Sequence, residues 1–340
     1  MGNIPLFTKP IFSARATHPY VLCGWHTRSE IPLTGVPTLV NDTSNVDVTI
    51  QIATGHPPMA KSTGRFVFQH TTECSLIRIE DVADFEISSG RQIRVWPASG
   101  AKQKDIEIFL FGPAWAALCH QRGMLPLHAS AIVTETGITG FAGHSGAGKS
   151  TTAALLNSFG YQLLADDILP VRLNQNSTPG AWPYLRRLKL HSEQIAELAF
   201  TAKETVSEAL DKDRYFVYPK HAADDQWSRL ERVYLLEIDP TCPKVSIERI
   251  TGAEAVRTLI DQTYHFNFIL DSGRVRDHLA LCAYLASKIA VYRLRRSPSI
   301  RAGRELASII CTHLSNSNVG RQLDASRPPP GGKSMPTPGR

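Results

Sequence analysis

One glycine-rich segment in the middle of the chain restricts its fold more than any other feature. Residues 141–152 read Phe-Ala-Gly-His-Ser-Gly-Ala-Gly-Lys-Ser-Thr-Thr, so Gly143, Gly148, Lys149 and Ser150 complete the pattern G-x-x-x-x-G-K-[ST]. In such a loop the glycines let backbone N–H groups turn onto a phosphate, the lysine neutralises charge, and the hydroxyl reaches Mg²⁺. The segment therefore predicts a binding loop for a nucleoside triphosphate. The predicted nucleotide-binding residues are Gly143, Ser145, Gly146, Ala147, Gly148, Lys149, Ser150 and Thr151.

The flanking residues supply the strand and the helix that this loop requires. Residues 137–142 are short, apolar and small, which is typical of a buried strand, and residues 150–158 contain helix formers with one apolar face. The N-terminal dipole of that helix would then face the phosphates.

Two adjacent carboxylates follow at a matching distance. Residues 162–165 read as a buried strand after a helix stop at Gly160, and Asp166 and Asp167 come directly after that strand. One β-α-β unit of an open parallel sheet would bring them to the same edge as Lys149. Because neighbouring strand residues point to opposite faces, we expect different roles, one accepting a proton and one holding Mg²⁺. The alternative is that the pair only caps the strand and begins a turn.

An apolar run at residues 124–133 predicts a further strand, paired with the strand that leads into the loop. His128 lies inside this run. A single histidine in such a position is more often a core residue than a catalyst, so the residues alone favour a structural role.

These segments together resemble a known family. Residues 127–131, 143–151 and 160–167 are similar to the nucleotide core of HPr kinase/phosphorylase and its relatives, a superfamily that also includes phosphoenolpyruvate carboxykinase. Residues 179–190 and 213–215 resemble the stand-alone HPr-kinase-like serine kinases found with peptide-modification genes, including lasso-peptide kinases. The likeness covers about residues 113 to 310 and, more faintly, the amino-terminal part.

The resemblance implies an α/β fold with a P-loop core, ATP and Mg²⁺ as cofactors, and specific site residues. It implies that Asp166 is the catalytic base, that Asp167 supports the metal or the geometry of the loop, and that His128 lies near the active centre. The predicted catalytic residues are therefore Asp166, Lys149 and His128, and the predicted metal-binding residues are Ser150 and Asp167. The chain departs from HPr kinases proper at Thr151, where a glutamate is common, and it lacks an Arg-Pro-Gly-Arg-Asn-like segment. The threonine implies that one carboxylate near the metal is missing, and the missing segment speaks against HPr as the substrate and against the reverse phosphorylase reaction.

Patterning divides the chain into three parts. Residues 1–112 contain short β-type runs at 46–52, 65–68 and 76–79 and a hairpin at 85–95, which predict a β-rich N-terminal domain. Residues 113–320 form the predicted kinase domain, with a connecting helix at 112–122, a strand at 233–238 and helices at 253–259 and 277–290. Residues 321–340 are rich in Pro, Gly and Ser and predict a disordered tail.

Composition limits the partners. The formal net charge of +6 lies partly in the tail, and no basic stripe with interleaved aromatics occurs, so a nucleic-acid partner is not expected. Arg186, Arg187 and Lys189 form one basic group that is either a solvated turn or a contact for the triphosphate or an acidic peptide. Arg186 and Lys189 are therefore the substrate-binding candidates.

Other features predict a cytoplasmic protein without membrane contact. The chain has no apolar run of about 18 residues and no signal peptide at its start. Its 6 cysteines are widely scattered, which favours reduced thiols over disulfides or a structural zinc site.

The sequence thus predicts a Mg-ATP-dependent kinase that phosphorylates a serine hydroxyl of a peptide, such as a lasso-peptide precursor, or of a small protein. Two alternatives stay open: a small-molecule kinase, and a nucleotide-binding regulatory module. A homo-oligomeric assembly is left open as well.

Overall fold

The protein is a mixed α/β chain with several sheets. The computed structural model describes residues 16–39, 45–58, 64–202, 204–207, 211–298 and 305–316. The tail predicted at 321–340 lies outside these residues. Within them, no helix is both long and apolar enough to cross a bilayer. All six cysteines belong to the described residues, and none of them forms a disulfide bond there.

The N-terminal part forms one sheet, as the alternating patterns predict. Its strands are β1 (His18–Leu22), β2 (Trp25–Ser29), β3 (Val48–Ile52), β4 (Phe66–His70), β5 (Cys74–Ile79), β6 (Ala83–Ser88) and β7 (Gln92–Pro97), in the order β1-β2-β3-β7-β6-β5-β4. The predicted hairpin is confirmed as β6 and β7, which pair antiparallel. Ser89 and Gly90 both have positive φ, 53° and 59°, which a tight hairpin turn with the twist of the strands requires.

A helical segment joins this sheet to the rest of the chain. It consists of α1 (Gln103–Phe109), a π-helical turn (Leu110–Ala114) and α2 (Trp115–Gln121). The helix predicted at 112–122 is thus α2, preceded by helical residues that the pattern did not indicate. Buried side chains of β1, β2, β3, β5, β6 and β7, of α2 and of the strands that follow belong to one continuous apolar cluster, and Phe68 of β4 packs against it. The boundary predicted at residue 112 therefore falls inside a shared core.

The described chain continues with strands β8 to β19 and helices α3 to α8. They are β8 (Leu125–Leu127), β9 (Ala129–Thr134), β10 (Gly137–Ala142), α3 (Lys149–Ser158), β11 (Gln162–Ala165), β12 (Leu169–Leu173), β13 (Pro179–Ala181), β14 (Leu188–His191), α4 (Ser192–Glu197), β15 (Glu204–Ser207), β16 (Asp211–Val217), β17 (Ser228–Ile238), β18 (Ser246–Ile250), α5 (Gly252–Asp261), α6 (Asn267–Asp271), α7 (Val275–Lys288), β19 (Ala290–Arg296) and α8 (305–316).

A second sheet carries the glycine-rich loop. Its described strands run in the order β11-β9-β10-β17-β13-β12-β8, with β19 beside β17 and β18 beside β19. The strands predicted at 137–142 and 162–165 are confirmed as β10 and β11. The strand predicted at 124–133 is interrupted at His128 and forms β8 and β9, and β9 pairs with β10 as expected.

The predicted β-α-β unit is wrong in one respect. β9 lies between β10 and β11 and is antiparallel to both, so this sheet is mixed rather than parallel. Because two antiparallel pairings restore the original direction, β10 and β11 still run the same way. Their carboxyl ends therefore meet at the same edge, and the loop and the two aspartates come together there.

A small sheet, in the order β14-β16-β15, stands beside this edge. Leu188, Leu190 and Val217 turn one face of it into a second apolar cluster, which also contains the buried side of α3. The opposite face of this small sheet borders a cleft.

Candidate functional site

The loop from residue 143 to residue 150 joins β10 to α3 and depends on glycine. Gly143 has φ +146°, and a Cβ built there would lie 2.7 Å from the carbonyl oxygen of Leu236. Gly148, the N-cap of α3, has φ +96° in the left-handed region. Gly146 has φ +83° and no atom within 4 Å of a built Cβ, so its side faces open space. The loop therefore adopts a conformation that other residues reach only with strain.

Lys149 is the buried cation of the loop. Its Nζ donates to the carbonyl oxygens of Gly143, at 2.8 Å, and His144, at 3.2 Å. Burial lowers the pKa of Lys149, although the negative charges of Asp167 and Asp166 act to raise it. The charge of a buried ammonium group whose hydrogen-bond partners are neutral carbonyls would be stabilised by a bound anion.

Asp166 is enclosed by donors. Its Oδ1 accepts hydrogen bonds from Ser130 Oγ at 2.6 Å and Ser150 Oγ at 2.8 Å, and its Oδ2 accepts from the backbone N–H of Lys189 at 3.0 Å. Burial raises the pKa of Asp166 and the charge of Asp167 adds to the rise, while the hydrogen bond from Ser130 opposes it. The sequence paired Ser150 with Asp167, but the structure places the Ser150 hydroxyl on Asp166.

Asp167 faces the same cleft with different partners. Its Oδ2 lies 2.7 Å from Lys189 Nζ, and its Oδ1 lies 3.7 Å from His128 Nδ1. Burial would raise the pKa of this carboxyl, but the positive charges of Lys189 and His128 outweigh burial and lower it to about 2. The expectation that the two aspartates point to opposite faces is wrong, because Asp167 has φ +72° and strand alternation ends before it.

His128 occupies the break between β8 and β9 and lines the cleft instead of the core. Its ring packs against the ring of Tyr264, with 5.4 Å between centroids, and its backbone N–H donates to the carbonyl of Gln262. Burial lowers the pKa of His128 to about 4, so the imidazole is neutral at pH 7. A neutral imidazole beside an ionised carboxylate can hold or pass a proton.

The cleft has a volume of about 140 Å³ and gathers most of the predicted residues. Its walls are His128, Ser145, Gly146, Gly148, Lys149, Ser150, Thr151, Asp166, Asp167, Lys189, His191, Gln194 and Arg214. Ala147 is buried within the loop. Among the described residues, no group of three or more His, Cys, Asp or Glu side chains could hold a metal ion by itself.

The basic group predicted at residues 186–189 is divided by the structure. Only Lys189 lines the cleft. Arg186 donates to the carbonyl of Ala223 and pairs with Asp225 at 3.1 Å. Arg187 is buried, with its guanidinium 4.0 Å from the ring centroid of Phe216. Of the three basic residues only Lys189 belongs to β14, since that strand begins at Leu188 and the two arginines precede it.

Several residues of the site carried no recognised signal in the sequence. Gln262 Oε1 accepts from the N–H of Gly143 at 2.8 Å, across 119 positions. Gln194 Nε2 donates to Thr151 Oγ1 at 2.8 Å and ties α4 to the first turn of α3. Ser130 and Arg214 fall within residues 127–131 and 213–215, which carry the family resemblance, although the sequence assigns neither of them a role, whereas Gln262 falls in no such segment.

The chain matches no known protein-family model. No curated protein is significantly similar to it. Among solved structures, it is similar to the HPr(Ser) kinase/phosphatase from Coxiella burnetii, with a TM-score of 0.29 and 16% sequence identity. The alignment covers 59% of this chain and 94% of that one. A superposition this loose transfers no residue role, so the family resemblance stays a prediction and the roles below rest on contacts within this chain.

Proposed function

We propose that this protein is a kinase that uses Mg-ATP and transfers the γ-phosphoryl group to a serine hydroxyl of a peptide or small protein. One observation carries the proposal: Lys149, Ser150, Asp166 and Asp167 line one cleft, at the edge where β10 and β11 both end. Phosphoryl transfer depends mainly on positioning and charge stabilisation, and this arrangement offers both.

The loop fits a triphosphate. Its glycines hold positive φ values that keep the backbone close to the cleft, and Gly146 leaves open space beside it. Lys149 Nζ lies against loop carbonyls in a buried position where a phosphate would compensate its charge. Lys149 and the loop N–H groups are therefore proposed to hold the β- and γ-phosphates.

The contact between Ser150 and Asp166 fits a magnesium site. The hydroxyl and the carboxylate oxygen are 2.8 Å apart, and oxygen donors of this kind, completed by phosphate oxygens and water, are those that Mg²⁺ prefers. When bound, Mg²⁺ would neutralise charge on the phosphate oxygens. We assign Asp166 to this task because three donors already enclose it and fix its orientation.

Asp167 is the proposed catalytic base, which exchanges the roles expected from the sequence. About 28% of its side chain is exposed, against 3% of residue Asp166, so an acceptor hydroxyl can reach it. Its low pKa keeps it ionised at neutral pH. In the proposed transfer the acceptor oxygen bonds to the γ-phosphorus, the bond from that phosphorus to the bridging oxygen breaks, ADP leaves with the electron pair, and the acceptor proton passes to Asp167.

The shape of the site supports an acceptor that is part of a longer chain. The cleft is bordered by exposed residues such as Ser145 and Asp213. The enclosed cavity behind Asp166 and Asp167, lined by Phe111, Tyr184 and other described residues, has a volume of only about 10 Å³. That volume holds roughly one water molecule, so it offers no closed pocket for a small acceptor.

Two substitutions test these roles. Asp167→Asn should lower turnover by about 100-fold or more while Mg-ATP affinity changes by less than about 3-fold, because general-base catalysis contributes that range. Asp166→Asn should instead weaken Mg-dependent nucleotide binding. Calorimetry with Mg-ATP measures binding, and labelled ATP with candidate precursor peptides, followed by mass spectrometry for phosphoserine, measures transfer.

Asp261→Asn is the matched control, since this aspartate is exposed on α5 and forms its ion pair with Arg257, one helical turn away. It should change neither quantity. No binding heat with Mg-ATP would refute the nucleotide site, and full turnover in Asp167→Asn would refute the base.

A further inference from the structure

The small sheet beside the loop presents a polar face to the cleft. In β14 the sequence alternates Leu188-Lys189-Leu190-His191, and the leucines are buried in the second apolar cluster. His191 is directly opposite Arg214 of β16 in the antiparallel register. Residues paired in this way point to the same face of a sheet, so Lys189, His191 and Arg214 share the face that lines the cleft.

Arg214 is oriented by a chain of hydrogen bonds. Its Nε donates to His191 Nε2 at 3.3 Å, and His191 Nδ1 lies 3.3 Å from Asp213 Oδ2. Ser192 Oγ donates to the other oxygen of Asp213 at 2.7 Å and thereby lowers the pKa of that carboxyl. His191 must therefore carry its proton on Nδ1 and accept at Nε2.

Arg214 lines the same cleft as the loop lysine, Lys149. The cleft thus holds the cation of Lys149 on the loop and that of Arg214 on β16, and a third cation, Lys189, pairs with Asp167 at 2.7 Å. Two like charges across a cleft are stabilised together by an anion between them.

We propose that Arg214 is a further catalytic residue, which contacts the γ-phosphoryl group while it is transferred, and that His191 is its positioning residue. This inference rests on the proposed kinase function. An arginine supplied within the same chain stabilises the charge on the equatorial oxygens as the bond to ADP breaks and the bond to the acceptor forms. Its guanidinium matches phosphate oxygens with paired N–H donors, which a lysine cannot do.

The test compares ground-state and transition-state binding. Mg-ADP is titrated into the protein by calorimetry, with and without fluoroaluminate, which mimics the phosphoryl group in transfer. We expect wild type to bind Mg-ADP more tightly when fluoroaluminate is present. Arg214→Ala should bind Mg-ATP and Mg-ADP within about 3-fold of wild type but lose about 100-fold of the fluoroaluminate-dependent affinity, as removal of one transition-state donor does.

Three further variants separate a catalytic role of Arg214 from a general effect of charge and test the positioning role of His191. Arg257→Ala removes an exposed arginine of α5 and should retain the full fluoroaluminate effect. For the positioning role, His191→Gln keeps an acceptor for the Arg214 Nε and should retain much of the effect, whereas His191→Leu should lose about as much as Arg214→Ala.

The outcomes distinguish a failure of the proposed kinase function from a failure of the role proposed for Arg214. If wild type binds no nucleotide, the proposed function fails. If wild type binds Mg-ADP but gains nothing from fluoroaluminate, or if Arg214→Ala gains as much as wild type, the nucleotide site stands and the role of Arg214 is overturned. An equal loss of Mg-ATP and fluoroaluminate affinity in Arg214→Ala would likewise overturn it, because it would reveal uniform binding.

Discussion

At the scale of single residues, two neighbouring aspartates acquire different properties from their surroundings. Asp166 is enclosed and its pKa is raised by burial, whereas Asp167 meets Lys189 and its pKa is lowered to about 2. The left-handed backbone at Asp167 makes this possible, since it turns both carboxylates toward one cleft. Identical side chains in adjacent positions therefore differ in exposure and in pKa, which is the basis for the different roles proposed for them.

Gln262 is the residue whose loss should show how the loop is held. Gln262→Ala leaves the buried N–H of Gly143 without its acceptor, so the free energy of unfolding should fall by about 1–3 kcal/mol, and Mg-ATP affinity should weaken. Urea unfolding and calorimetry measure the two effects.

Gln51→Ala is the comparison, because Gln51 is exposed and only shares a surface hydrogen bond with Gln92. It should change stability by less than about 0.5 kcal/mol. Equal stability of the two variants would show that the Gln262 contact does not support the loop.

At the scale of elements, the site arises where three pieces of secondary structure meet. The loop enters α3 after β10, β11 delivers the aspartates, and the polar face of β14 and β16 closes the third side. Ser130 on β9 reaches across from the strand inserted between β10 and β11. The antiparallel β9 is thus part of the site, since it supplies a donor that fixes Asp166.

The junction between β10 and α3 predicts an order of glycine substitutions. Gly143→Ala places a Cβ 2.7 Å from the Leu236 carbonyl oxygen, which is backbone and cannot move cheaply. Gly146→Ala meets no atom within 4 Å and carries only the cost of its positive φ, about 1–2 kcal/mol. Chemical denaturation should therefore show a clearly larger loss for Gly143→Ala. A reversed order, or equal losses, would contradict the packing at this junction.

At the scale of the whole molecule, the N-terminal sheet and the second sheet share a common core. The ring centroid of Trp115 on α2 lies 5.8 Å from that of Trp25 in β2 and 5.9 Å from that of Tyr184 beside the cleft. Trp115 is fully buried between them. The two parts are therefore packed together through aromatic contacts, and their division into separate domains stays a prediction.

A buried group of histidines within this core should make the fold acid-sensitive. Burial lowers the pKa values of His70, His120 and His278 from 6.5 to about 4, while Asp271 opposes this at His70 and the Tyr264 carbonyl opposes it at His120. Below pH 6.5 the unfolded chain binds protons that the folded chain refuses. The free energy of unfolding should thus fall between pH 6.5 and 4, by up to about 1.4 kcal/mol per pH unit for each histidine.

His120→Gln removes one of these buried histidines, so the dependence of the free energy of unfolding on pH should decrease by about the contribution of one histidine. His221→Gln, at an exposed position, should leave this dependence unchanged. Denaturation midpoints measured across this pH range compare the three proteins. A slope in His120→Gln identical to that of wild type would show that His120 is not kept neutral in the folded state.

The local parts of the site were predictable from the sequence. Gly148, Lys149 and Ser150 fix a loop and a helix start through steric and hydrogen-bond rules that act between neighbouring residues, and β10, α3 and β11 lie where the pattern predicts them. The strand alternation Leu188-Lys189-Leu190-His191 likewise fixes which side chains share a face.

The tertiary structure decided which of these faces meet. It inserted β9 between β10 and β11, placed Ser150 on Asp166, and brought Gln262 to the loop and Arg214 to the cleft. An apolar or polar pattern states that a face will be buried or open, but it does not name the partner. Partners more than a hundred positions apart are selected by the packing of whole sheets, because that packing minimises exposed apolar surface and unpaired polar groups together.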